Sequence, residues 1–371
     1  MMPSNAAALP TDASTPPTKY HVVSDPGEVR EVFRRVDEFV PTNALTTVVP
    51  LSMAALRVLS RARFALPPVL ASATGDRHRA VRKMVAAFFT PAKVAAIGPR
   101  VTKLTRQRCQ TAAKALESGP IDLADIIGRR IPPVIMQELT GFDCPDLMLL
   151  QRWSRDSLEL FWGWPDEERQ VLLATSAAEF YAWLRETVVA SEGDGSLFGV
   201  LDAAGLSTPE ICSLGYFLVI AGQETTAQLI NIAFYRALQN RTLWHELAQG
   251  ASAATFVRGV LASESSVHTW RRAVATDSML GGVNLPAGAE ILLELSGHHP
   301  AGTAPTAYSL AFGHGLHRCL GAKLAELETI TVLEETARAF PTLVLAGPDP
   351  EWIRLLSFQT PTTVMAQLEP A

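Results

Sequence analysis

Apolar residues recur at helical spacing along most of this chain. Such patterns cover residues 78–90, 94–116, 122–140, 146–160, 166–192 and 208–240, with Pro or Gly between several of them. At 166–192 the stripe is Val171, Leu172, Ala178, Phe180, Trp183 and Leu184. Asp25 followed by Pro26 predicts the start of a further helix over 26–36. Strand signal is confined to short runs at 20–24, 272–275, 290–295, 343–345 and 363–368, two of them flanking the turn sequence LGGVNLPAG. No internal repeat or long linker interrupts the series. The expectation is one mainly α domain over 19–371 with a small, reduced β part. The first 18 residues, MMPSNAAALPTDASTPPT, carry no periodicity and read as a disordered tail.

Composition narrows the class. Hydrophobic residues make up 48% of the 371 and charged ones 19%, which excludes long-range disorder. The balance of 32 Lys+Arg against 37 Asp+Glu gives a net charge of −5, so nucleic acid is a poor partner. The most apolar window, 214–221 (LGYFLVIA), is too short to span a membrane and reads as a buried helix. The N-terminus has no basic, signal-like stretch. Four cysteines, at 109, 144, 212 and 319, form no C-x-x-C pair. That excludes a disulfide scaffold or structural zinc site and suits a cytoplasmic protein. His298-His299 has no third ligand at metal spacing and reads as a plain loop pair.

The sharpest local feature is Phe312-Gly-His-Gly-Leu-His-Arg-Cys319-Leu-Gly-Ala322. Gly313 and Gly315 permit a tight, partly left-handed loop. After it, Leu320, Leu324, Leu327, Ile330 and Leu333 form a helical stripe, which puts Cys319 at a helix N-terminus. Free N–H groups and the helix dipole favour a thiolate there, and a thiolate can ligate a haem iron. His317 and Arg318 stand beside it, placed to meet an anionic propionate.

This loop, F-G-x-G-x-H-x-C-x-G-A, resembles the haem-ligand signature of the cytochrome P-450 superfamily. Three further segments resemble that family in the same chain order, over roughly residues 20–370. Ala221-Gly-Gln-Glu-Thr-Thr226 is similar to its oxygen-binding groove. There Gly222 would let substrate and dioxygen approach the helix, and Glu224 with Thr225 would relay protons. His78 and Arg82, at i and i+4 on one helix face, match its H-x-x-x-R propionate grip. Arg272, nine residues before Gly281 of the L-G-G-x-x-L-P-A-G turn, stands where the family carries a second propionate arginine. The resemblance therefore implies haem b with iron held by Cys319. It also implies a cofactor set of His78, Arg82, Arg272, Phe312, Gly313, His317, Cys319 and Gly321, and the catalytic pair Glu224 and Thr225.

The pattern also breaks. The family's E-x-x-R helix aligns with Gly259–Ala262, where neither charge is present, and the following meander is short. Losing one member of a buried ion-pair set costs about 3–5 kcal/mol, whereas losing all of them can be near neutral. The N-terminus is short as well, so part of the main sheet is expected to be lost. Trp162 and Trp164, in the turn between two helices, fit a substrate entrance and core or interhelix packing equally well. Arg77, Arg79, Lys83, Lys93, Arg100 and Lys103 form a local basic face suited to an acidic ferredoxin.

Three functional readings remain. The first is a monooxygenase acting on a small organic substrate of secondary metabolism, with electrons from NAD(P)H through a separate ferredoxin and reductase. The second is a peroxide-using or redox-neutral haem-thiolate enzyme. The third is a haem-free helper for a partner enzyme or carrier protein.

Overall fold

The structure, a computed structural model, describes residues 20–142, 146–297 and 307–369. The expected tail, Cys144 and the His298-His299 pair lie outside the described residues.

The chain enters through β1 (Tyr20–Val23), α1 (Pro26–Arg34) and β2 (Phe39–Val40). Asp25 caps α1 as expected, its carboxylate accepting from the N–H groups of Gly27 and Glu28. Then come α2 (Met53–Arg61), α3 (Gly75–Ala86), α4 (Pro91–Leu116), β3 (Ile121–Asp122), α5 (Leu123–Ile126) and α6 (Pro132–Thr140). The helix expected over 122–140 is thus broken. Pro132 and Pro133 lack the N–H groups that would join α5 to α6. A 3-10 turn at Gly128–Arg130 also passes so close to the central helix that a β-carbon at Gly128 would collide with the Asn231 amide. Neither cause leaves a mark in apolar periodicity.

The helical body continues with α7 (Leu147–Trp162), α8 (Glu167–Ala190), α9 (Leu197–Ala203), α10 (Thr208–Leu238), α11 (Arg241–Ala248) and α12 (Ala254–Glu264). α10 is the axis of the molecule. A capping box of Ser207 and Glu210 starts it, and α6, α7 and α8 pack around it. Two of its buried polar groups are matched inward: Gln223 donates to Ser154 at 2.7 Å, and Tyr216 shares a 2.6 Å bond with Ser157. Among the described residues no helix is long and apolar enough to cross a membrane.

The remaining elements are β4 (Thr269–Val274), β5 (Ser278–Leu280), β6 (Val283–Leu285), β7 (Glu290–Glu294), α13 (Ala322–Ala339), β8 (Leu343–Leu345), β9 (Trp352–Arg354), β10 (Gln359–Pro361) and β11 (Met365–Leu368). The largest sheet has four strands in the order β1-β7-β4-β2. β1 runs parallel to β7, and the other pairs are antiparallel, with Arg272 opposite Ile291. Smaller sheets, β3-β11-β8, β5-β6 and β9-β10, cover the ends.

One layer of the fold is stitched by backbone. The segment between β2 and α3, which carries α2, lies against α7 and α8. Val48 N–H donates to the Phe161 carbonyl at 3.1 Å, and Ser52 N–H to Gln170 Oε1 at 2.7 Å. Gln170 Nε2 in turn reaches the Pro165 carbonyl at 3.2 Å. From the other side, Leu356 N–H donates to the Trp162 carbonyl at 2.8 Å.

α13 packs against α4, α10, α11 and α12, and it buries Glu328 completely. Neither carboxylate oxygen has a hydrogen-bond partner, and burial pushes the group up to about 8 from 4.5. The folded chain therefore keeps a proton that the unfolded chain releases above about pH 4.5. Stability falls by up to about 1.4 kcal/mol per pH unit from there to about pH 8, then levels off. Glu328→Gln removes that dependence. Denaturant unfolding should show wild type and variant close together near pH 4, and the variant more stable at pH 8; equal stability at pH 8 refutes the assignment.

Candidate functional site

The four-stranded sheet, α10 and the loop before α13 enclose an apolar cavity of about 250 Å³. Cys319 enters it from the loop. Gly313 and Gly315 take the expected left-handed conformation, with φ of +67° and +64°. At Gly315 a β-carbon would stand 3.0 Å from the Phe33 carbonyl, so α1 presses directly on the loop. Cys319 N–H closes the loop on the Phe312 carbonyl at 2.8 Å.

The sulfur lies deep in the protein but is open to the cavity. Burial raises the thiol above its ordinary range, while the N–H groups of Gly321 and Ala322 and the cations Arg82 and Arg318 pull it down. Burial wins, which corrects the thiolate expected from the helix terminus alone. A metal cation at the sulfur reverses that balance, because a coordinating thiol is deprotonated outright.

Arg82, Arg272 and His317 line one end of this space, and His78 is buried behind His317. α3 places His78 and Arg82 one turn apart, β4 supplies Arg272, and the cysteine loop supplies His317. The rings of His78 and His317 stand 4.8 Å apart. His78 is 1% exposed, and neither of its ring nitrogens has a partner. His317 Nε2 donates to the Ala73 carbonyl at 2.8 Å, leaving Nδ1 unpartnered. Burial and the nearby cations Arg82 and Arg79 lower His78; burial, then Arg272, His78 and Arg82, bring His317 down to about 4. Both imidazoles are neutral at pH 7.

Arg82 spends one Nη2 bond on the Arg318 carbonyl. Arg272 is 1% exposed, makes one 2.8 Å bond to the Arg271 carbonyl, and lies over the Phe33 ring at 5.1 Å. No acid offsets its burial, which lowers the guanidinium to about 10. Buried cations and orphaned imidazoles at one wall, with a sulfur beyond them, fit a flat anionic group bearing carboxylates and a metal. A haem has that chemistry.

α10 forms the opposite wall and separates the acid–alcohol pair. Thr225 lines the cavity and donates to the Ala221 carbonyl at 2.7 Å. Glu224 is not a lining residue. It is buried behind the wall, where Oε1 accepts from Gln228 at 3.3 Å. Burial raises its carboxyl, against the pull of Arg155 and Arg129. Gly222 lines the cavity too, but the Met136 thioether occupies the place of its missing side chain. Met136 thus fills the place a larger residue would take, while Gly222 itself stays on the cavity wall.

Leu45, Val69, Phe217, Val267, Trp270 and Phe358 complete an apolar lining. Trp270 was legible in principle, since it shares the face of Arg272 two residues earlier on β4. Met136 carried no signal of its own. Trp162 is core and not an entrance: it is 1% exposed and packs 4.9 Å from Phe358 and 6.1 Å from Trp270. Trp164 is half-buried against the same core.

The basic face is smaller than its sequence. Arg77 pairs with Glu210, Arg79 with Asp76 and Arg100 with Glu138. Lys93 lies over the Phe88 ring at 4.8 Å. Lys83 and Lys103 make no ion pair. On α12, Gly259 faces open space, and neither end of the E-x-x-R position carries a charge.

No family profile matches the chain. Among curated proteins, it is 29% identical to the cytochrome P-450 monooxygenase PikC of Streptomyces venezuelae, over 77% of this chain and 72% of that one. It is 28% identical to 6-deoxyerythronolide B hydroxylase of Saccharopolyspora erythraea, over 75% of this chain and 72% of that one. Among solved structures, cytochrome P-450 CREJ in complex with (4-ethylphenyl) dihydrogen phosphate superposes with a TM-score of 0.86. It shares 25% identity, over 95% of this chain and 92% of that one.

An unpaired buried guanidinium destabilises a chain that lacks its anion and is offset when the anion arrives. Arg272→Leu is therefore expected to raise the stability of the haem-free protein by about 1 kcal/mol or more. The same variant should weaken haemin uptake by about tenfold or more, losing a charge-assisted contact. Unfolding curves and haemin titration check the two halves; a variant that binds haemin as wild type does removes Arg272 from the site.

Proposed function

The chain belongs to the cytochrome P-450 superfamily, and on that premise we propose that it is a haem-thiolate monooxygenase acting on a small apolar organic substrate. One observation carries the reading: the Cys319 sulfur, Arg82, Arg272 and His317 line a single apolar cavity, with the His78 ring 4.8 Å from that of His317. A helper protein has no physical need to keep a fully buried arginine, Arg272, without an acid.

Haem, when bound, supplies an iron centre that activates dioxygen. The Cys319 sulfur is the iron ligand in this reading. His78 offers an N–H donor, and Arg82 and Arg272 offer charge, to the propionates; His317, its one N–H taken by the Ala73 carbonyl, would donate from Nδ1 only as the imidazolium. Phe312, Gly313 and Gly321 shape the loop that holds the sulfur against the ring.

Protons are handled from α10. The Thr225 hydrogen is engaged by the Ala221 carbonyl, so the lone pairs on Oγ1 are left to accept from a group in the cavity. Glu224, one residue back and behind the wall, is pushed by burial towards its protonated form, against the pull of Arg155 and Arg129. Passing a proton forward requires the side chain to leave Gln228. The apolar lining keeps bulk water from competing with that transfer.

Electrons, in this reading, come from NAD(P)H through a separate ferredoxin. Lys83, on the helix that carries Arg82, with Lys93 and Lys103 nearby, supports docking of an acidic donor close to the thiolate side. One relative is by name a hydroxylase of 6-deoxyerythronolide B. By analogy the substrate class is an apolar secondary metabolite.

The purified protein should be red, and its reduced carbon monoxide complex should show the red-shifted Soret band of thiolate ligation. Cys319→Ser should lose that band while keeping the helical circular dichroism signal. Colourless protein that takes up no added haemin refutes the proposal. Glu224→Gln should leave the band in place and lower product formation by about 10²-fold, the order expected for a proton-transfer group. Unchanged turnover in that variant removes Glu224 from the proton path.

A further inference from the structure

The segment from Phe39 to Gly75 contains no Asp or Glu, in a chain with a net charge of −5. Its three charges are Arg57, Arg61 and Arg63, on α2 and just after it. All three are exposed, and none makes an ion pair among the described residues. Arg35, Arg100, Arg130, Arg169 and Arg236, by contrast, each meet an acid.

Two further observations mark this helix. Arg63 is the one non-glycine residue with positive φ, +53°, among the described residues. It occupies the position past the helix end where glycine is favoured, with its N–H on the Ser60 carbonyl and Phe64 N–H on the Leu59 carbonyl. A charged side chain is kept there despite backbone strain. The outward face of α2 also carries Met53 and Leu56, 65% and 44% exposed, among the arginines. Met53, Arg57 and Arg61 stack at i, i+4 and i+8 along that face.

The same segment supplies Leu45, Val69, Leu70 and Ser72 to the cavity wall. A partner on α2 thus engages the segment whose two ends wall the chamber, and not the helix of Lys83 and Arg82 where electrons would arrive. We propose that the outward face of α2 docks an acidic carrier protein that presents the substrate as a covalently tethered acyl group. The inference rests on the monooxygenase reading for the fate of that group. Three unpaired cations interleaved with flexible apolar side chains complement an acidic amphipathic helix. A lipid surface fits less well, because the exposed face has no aromatic anchor and three cations alone hold a membrane weakly.

The test uses the full-length, haem-loaded chain and a fluorescent acyl carrier protein bearing a decanoyl thioester on its phosphopantetheine arm. Binding is read by anisotropy at about 50 mM and about 500 mM NaCl, since exposed charge contacts are screened over that range. The triple variant Arg57→Glu, Arg61→Glu, Arg63→Glu should bind about tenfold or more weakly, as should wild type at high salt. The corresponding Lys variant should bind as wild type does. Circular dichroism and the carbon monoxide spectrum confirm that both variants are folded and loaded. Absence of binding at low salt, or equal binding by the Glu variant, overturns the proposal. So does a loss confined to vesicles of phosphatidylglycerol, which would make the face a lipid contact. Anisotropy does not depend on turnover, so it can fail while the haem reading stands, and the reverse.

Discussion

Arg272 holds a full positive charge inside the protein with no acid to meet it. Most of the architecture follows from accommodating that charge. β4 brings it inward, opposite Ile291, and Phe33 on α1 lies flat beneath it. The same α1 presses the Phe33 carbonyl against Gly315, which fixes the cysteine loop. Sheet, first helix and ligand loop thus meet at one guanidinium. An interior built this way is incomplete by itself, and an anionic occupant restores the balance.

The thiol obeys the same logic with the sign inverted. Burial holds the proton on Cys319, and the surrounding N–H groups and arginines do not suffice to release it. A pocket with excess cation and a protonated sulfur is prepared for an occupant that brings carboxylates to one side and a metal to the other. The absent E-x-x-R pair matters less to this balance. On α12 no partner was left charged at that position, so no isolated ion remains to be neutralised there. The carboxyl that is isolated, Glu328, lies on the next helix and answers by keeping its proton.

Much of this was legible in the residues. The cysteine loop could be read because two glycines, a cysteine and a following apolar stripe each constrain the backbone at a known place. His78 and Arg82 could be read because i and i+4 share a helix face. What stayed hidden depended on contacts between distant segments. Breakage of 122–140 was legible in Pro132 and Pro133 but hidden in its other cause, the close approach of Gly128 to Asn231, which periodicity does not report. α2 was missed because nine residues within a Pro-flanked stretch give too short a stripe. Trp162 stayed open between entrance and core because sequence shows a turn but not what lies against it. The net effect on the Cys319 proton was misread because a helix terminus is local, whereas burial is set by the whole fold.

The roof over the chamber has a temporal consequence. Val48, Ser52 and Leu356 donate backbone hydrogen bonds to α7 and to the start of α8 from two sides, and the α7–α8 turn is too short to bend independently. No single loop can lift away. Admission of a guest, escape of a product and deuterium uptake at those three amides then become one collective event, governed by a common clock.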